Sequence, residues 1–134
     1  MRRNLFVSSV FEDYAYRDHV KDWAGRGLLG AVNIVTETAD VSQGGLSAIR
    51  AHLRPIMRTA DGLLVLVGQD THNRHWVDEE IHYCASSGNP IIVTRLPNST
   101  GAAPPEVRGR QLVRFAPHDI REAIVPAFGS ARLT

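Results

Sequence analysis

Five consecutive apolar residues, Leu63-Leu64-Val65-Leu66-Val67, run without a polar interruption in the middle of this chain. A strand with one wet face alternates apolar and polar residues. An unbroken run therefore requires cover on both faces, as in the centre of a parallel sheet. Parallel neighbours in turn need helical crossovers to return the chain to the same end. The flanking sequence supplies both kinds of element. Leu5-Phe6-Val7-Ser8-Ser9, Ala31-Val32-Asn33-Ile34-Val35, Ile91-Ile92-Val93-Thr94 and Leu112-Val113-Arg114-Phe115 are the other β-rich runs.

Helical spacing fills the gaps. Tyr16, Val20 and Trp23 recur within Asp13 to Ala24, and Gly25 and Gly27 supply the stop. Leu46, Ile49, Leu53 and Met57 share one face of a second helix, which Pro55 should kink. A third helix runs to about Ser86, with Asn73 as its N-cap and Asp78 and Glu79 as solvent-facing acids in its first turns. A closing helix is capped by Asp119, continues through Ile120, Ile124 and Val125, and is ended by Pro126. Thr36 to Gly45 reads as a glycine-bearing loop, and Pro97 to Pro105 as a loop with little to pack.

This alternation predicts one α/β domain over residues 1–134: a flavodoxin-like, doubly wound, five-stranded parallel sheet in the order 2-1-3-4-5. Ligands of such sheets bind beyond the carboxyl ends of the strands, where the strand order reverses. That rule assigns Ser8, Ser9, Phe11, Thr36, Glu37, Gly68, Asp70 and Thr94 to the functional rim.

Composition narrows the function classes. Fifteen basic against fourteen acidic residues give a formal charge of +1, too little for a general attraction to nucleic acid or to an anionic membrane. A single cysteine allows no internal disulfide, and neither a leader nor a membrane-length apolar run stands out, so a cytoplasmic protein is expected. No Gly-x-Gly-x-x-Gly follows the first strand and no Gly-Lys-Ser/Thr occurs, which removes the usual cradles for a dinucleotide or triphosphate. The third strand ends in Val67-Gly68 rather than an aspartate, and Lys21 is the only lysine, which disfavours phosphoacceptor chemistry. His72, His75, His82 and Cys84 are spaced like metal ligands, but Cys84 falls with Val77 and Ile81 on the buried stripe of the helix, so no metal is expected.

The informative stretch is Gly68 to Ile81. Trp76 and Glu80 are one helical turn apart, and Val77 and Cys84 lie beside Glu80 on the core-facing edge. Glu80 should therefore be half-buried near the carboxyl rim of the sheet, where a carboxylate is either paired structurally or held for chemistry.

These residues carry a resemblance. Phe6-Val7-Ser8-Ser9 with Glu12-Asp13, the helix and strand from Ile49 to Gly68, and Thr71-x-Asn73-Arg74-x-Trp76-Val77-x-x-Glu80-Ile81 resemble the Toll/interleukin-1-receptor-like (TIR-like) family of the Thoeris anti-phage protein ThsB, over about Arg3 to Leu96. The resemblance implies an enzyme that cleaves the nicotinamide–ribose bond of NAD, as a glycohydrolase or an ADP-ribosyl cyclase making a nucleotide signal. NAD would be substrate, and no separate cofactor is implied. Glu80 matches the family's catalytic glutamate; Ser9, Phe11, Asp70 and Trp76 form the expected substrate-binding set, with Trp76 chiefly packing the helix. An effector protein reached through the nucleotide messenger and a homo-oligomer formed through loop 37–45 are the implied partners. Two other readings share the carboxylate or the fold: a non-catalytic TIR-like interaction module, and a nucleoside deoxyribosyltransferase-like enzyme with Glu80 as nucleophile.

Overall fold

The computed structural model describes residues 3–10, 13–36, 45–69, 71, 75–97 and 99–132. Five strands, β1 (Arg3–Ser8), β2 (Val32–Val35), β3 (Gly62–Val67), β4 (Ile91–Arg95) and β5 (Leu112–Arg114), form one sheet in the order β2-β1-β3-β4-β5, with every pairing parallel. The crossovers are α1 (Tyr14–Gly25), α2 (Gly45–Met57) and α3 (His75–Ser86), and α4 (Pro117–Arg132) closes the chain. This is the doubly wound order expected from the sequence, with β3 at its centre.

The pleat of β3 divides the interior in two. Leu63, Val65 and Val67 point to one face, where they meet Leu53 and Met57 of α2 and Val77, Ile81 and Cys84 of α3. Leu64 and Leu66 point to the other, with Val20 and Ala24 of α1 and Ile120, Ile124 and Phe128 of α4. All five residues of the run are fully buried, which is why it carries no polar residue.

Glycines end two of the helices where a left-handed residue is required. After α1, Gly27 has φ +76°, and the amides of Gly27 and Leu28 donate back to the carbonyls of Ala24 and Trp23. After α3, Gly88 has φ +74°, and the amides of Gly88 and Asn89 donate to Ala85 and Cys84. Both are Schellman-type closures, and a side chain at either glycine would strain the turn.

The structure corrects three expectations. Asp119 lies in the first turn of α4 rather than capping it: the helix begins at Pro117, whose missing amide costs nothing there, and the Ala116 carbonyl accepts the first helical bond from Ile120. Pro126 is inside α4 and does not end it, because burial of Phe128 against the sheet, next to Gly62, favours another turn. Third, the 97–105 segment is packed. Gly101 and Pro104 are buried, Ala103 lies against the α2–α3 core, and a 3-10 turn over Pro105–Val107 inserts Val107 beside α3. The kink-prone Pro55 lies in the last turn of α2, which stops at Met57. Asn73, His72, Phe11, Glu37 and Asp70, with loop residues 37–44, fall outside the described residues.

Candidate active site

The strand ends make the site. Ser8 is the last residue of β1 and, two positions after Phe6, projects from the same face of the sheet, the one covered by α2 and α3. On α3, Glu80 lies one residue before Ile81 and three after Val77, both fully buried. The two side chains meet: Ser8 Oγ donates to Glu80 Oε1 at 2.5 Å, across 72 residues of sequence. Glu80 is only 2% exposed, more deeply buried than the half-buried margin expected for it. The reason is the hydroxyl, which gives the carboxylate a polar partner inside the apolar layer.

Around this pair the rim is held by short hydrogen bonds. Thr71, fully buried, accepts from the Gly68 amide at 2.8 Å and donates to the Leu66 carbonyl at 3.2 Å, fixing the turn that leads from β3 toward α3. A Cβ at Gly68 would overlap the Asp13 carboxylate ahead of α1, which would have to move aside. Ser99 Oγ is within hydrogen-bonding distance of the carbonyls of Leu96 (2.8 Å) and Val67 (3.2 Å), and the Thr100 amide donates to Gln69 Oε1 at 3.1 Å. Arg95 reaches across to the Gly101 carbonyl at 2.8 Å. The segments after β3 and β4 are thereby tied into one unit.

Other expected rim residues have separate roles. Ser9 is 6% exposed, and its hydroxyl has no hydrogen-bond partner among the described residues. Trp76, one turn before Glu80, is half-buried and packs on the α2–α3 core. Thr94 is used structurally: its hydroxyl donates to the Val113 carbonyl at 2.7 Å, joining β4 to β5. Thr36 lies just past β2, partly exposed.

Glu79 is not simply a solvated acid. It receives two hydrogen bonds from Arg50 of α2, at 2.9 and 3.2 Å, and its hydrogen bonding and charge raise the pKa of that guanidinium above its usual value. This pair edges a groove of about 450 Å³ between α2 and α3, whose lining does not include Glu80. His82 faces Glu106 at 3.1 Å whereas Cys84 faces the core, so these two members of the histidine-cysteine row point apart.

Burial pushes the Cys84 thiol up to about 11; the Asn89 hydrogen bond opposes this and the Glu80 charge adds to it. Below its unfolded value the thiol is neutral in both states. As pH rises from there through the folded value, ionisation of the unfolded chain costs stability. A thiol-specific reagent at about pH 8 should leave native Cys84 unmodified and label it fully in denaturant; rapid labelling of the native protein would contradict this burial.

Two buried polar residues were missed by sequence reasoning. Ser8 was placed on the rim but not joined to Glu80, although its two-residue offset from Phe6 already directed it toward α3. Arg17 is 9% exposed, and its guanidinium carbon sits 3.7 Å from the centroid of the Tyr14 ring. Its signal was a basic residue in register with Val20 and Ala24 on the buried stripe of α1.

Comparison with known families gives a match to the model described as "Thoeris protein ThsB, TIR-like domain" over residues 6–101, most of the chain. The chain belongs to this family. The matched span holds the end of β1 from Phe6, the Ser8–Glu80 pair, Trp76 and the rim through Gly101 of this TIR-like domain; β5 and α4 lie beyond it. Among solved structures, the TIR domain of the Toll-related receptor TRR-2 from Hydra magnipapillata is similar, with a TM-score of 0.59 and 13% identity over 97% of this chain and 98% of that one. At that identity the likeness is one of fold. No curated protein is found to match the chain. No helix among the described residues of the TIR-like domain is long and apolar enough to cross a membrane.

Proposed function

We propose that this TIR-like domain cleaves NAD between nicotinamide and ribose, with Glu80 as the carboxylate that serves the ribose. The observation that carries the reading is a buried glutamate, hydrogen-bonded by the last residue of β1, at the carboxyl ends of the strands in a member of the ThsB TIR-like family.

The chemistry asks little of the protein. Nicotinamide is bound to ribose through a cationic ring nitrogen, so when the bond breaks its electron pair neutralises the leaving group and the positive charge passes to the sugar. An ionised carboxylate beside that sugar stabilises the oxocarbenium-like centre, as in glycoside hydrolysis. Water then adds to the anomeric carbon and releases a proton, giving ADP-ribose. Attack by a group of the same ADP-ribose, with loss of its proton, gives a cyclic product instead.

In this reading the Ser9 hydroxyl, buried and without a partner among the described residues, takes a hydroxyl of the substrate as its hydrogen-bond partner. Trp76 forms an apolar wall one turn from Glu80, and Phe11 and Asp70 border the nucleotide. The product acts as a messenger to an effector protein in anti-phage defence, and loop 37–45 joins copies of the domain.

The test is nicotinamide release from NAD by the purified protein, alone and with lysate from phage-infected cells, beside Glu80→Gln. Release that depends on Glu80 supports the enzyme. No release under either condition points instead to a non-catalytic interaction module, and release unchanged in the variant removes Glu80 from the mechanism.

A further inference from the structure

We propose that Ser8 is the positioning residue of the site: its hydroxyl fixes the Glu80 carboxylate in one orientation and favours its ionised form. The catalytic role of the carboxylate rests on the reading above, whereas the pairing of the two groups is a property of the folded chain. Both are almost fully enclosed, Ser8 at 1% and Glu80 at 2% exposure, and they come from elements 72 residues apart in sequence. A hydrogen bond to the charged form lowers the cost of holding a carboxylate in an apolar layer and restricts its rotation. A hydroxyl can donate only one hydrogen, and this one is directed at Oε1.

The strand aims Ser8 at α3. Its register opposite Val65 of β3 sets the backbone, and the pleat puts its side chain on the α3 side. Ser8 and Ser9 therefore divide two tasks between consecutive residues. The first holds the anion; the second has a buried hydroxyl with no hydrogen-bond partner among the described residues.

Other ionisable groups lie near this contact. Cys84, one turn along α3, is neutral at ordinary pH and its thiol is raised in part by the Glu80 charge. The Asp13 carboxylate, ahead of α1, lies against Gly68 and would repel a second anion. On α2, Arg50 is engaged by Glu79, and His82 on α3 is turned toward Glu106.

The test is the titration of the Glu80 side-chain carboxyl by 13C NMR, its signal assigned by its loss in Glu80→Gln, in the wild type, Ser8→Ala and Ser8→Cys. Removing a hydrogen bond to the charged form disfavours that form, so the midpoint should rise by about one to two pH units in both variants, cysteine being a poor donor. Ser8→Thr, which keeps the hydroxyl, should restore the wild-type midpoint. A Glu80 midpoint unchanged in any folded variant lacking the hydroxyl overturns the proposal. Because this reading needs no NAD, it separates from the activity: a raised midpoint in a protein that never releases nicotinamide would sink the enzymatic reading and leave the Ser8 assignment standing.

Discussion

Glu80→Gln should lower nicotinamide release by at least about a hundredfold while leaving the protein folded, the scale typical of losing one electrostatic group that serves the transition state. The substitution removes a charge and almost no volume. Gln keeps an oxygen that can accept the Ser8 hydroxyl now 2.5 Å from Oε1, so the link between β1 and α3 survives. A neutral amide also avoids the cost of keeping a charge in a layer that contains Val77, Ile81 and Cys84. The midpoint of thermal unfolding should therefore hold or rise as activity disappears. A variant that loses activity only because it unfolds would be recognised by a lowered midpoint.

Gly101→Ala should be the most damaging single methyl added to the described rim. A Cβ there would overlap the carbonyl oxygens of Gly68 and Gln69, which are backbone and cannot rotate aside. Separating the two segments would also strain the Ser99 and Thr100 hydrogen bonds that tie them together. Overpacking of this kind costs about 2–3 kcal/mol, which for a domain of this size lowers Tm by about 10 °C. Gly25→Ala is the control: it ends α1 with open space around it, so the same added methyl should be neutral or slightly stabilising. Equal melting temperatures for the two variants would mean that the 99–101 segment does not rest on the β3 end.

What could be read from the sequence follows from which signals are periodic. The run at Leu63 to Val67 announced its two-sided burial, and from it came the sheet, its order and the placement of α3. Cys84 fell into the core with Val77 and Ile81 because a helical repeat fixes all three together. Pairings between distant segments have no such repeat. Nothing in the order of residues says that Ser8 spends its hydrogen on Glu80, or that Arg50 reaches Glu79, until β1 and α2 are laid beside α3. The segment after β4 was misjudged for a related reason: Gly101 and Pro104 are small or rigid residues that usually mark exposed turns, yet here their lack of bulk is what lets the chain lie close to the carbonyls of Gly68 and Gln69. Pro126 misled because a proline's cost is local, whereas the helix that continues past it buries Phe128 in line with Ile120 and Ile124.

The span shared with the family stops at Gly101, but α4, which lies wholly after it, shares with α1 the cover of one side of the central strand, through Ile120, Ile124 and Phe128. A shortened chain ending at that boundary would bare Leu64, Leu66 and Ile92 together, an oily sheet face inviting self-association. The portion bearing the recognisable residues thus leans on a helix outside it, and grafting it elsewhere calls for carrying that last helix along.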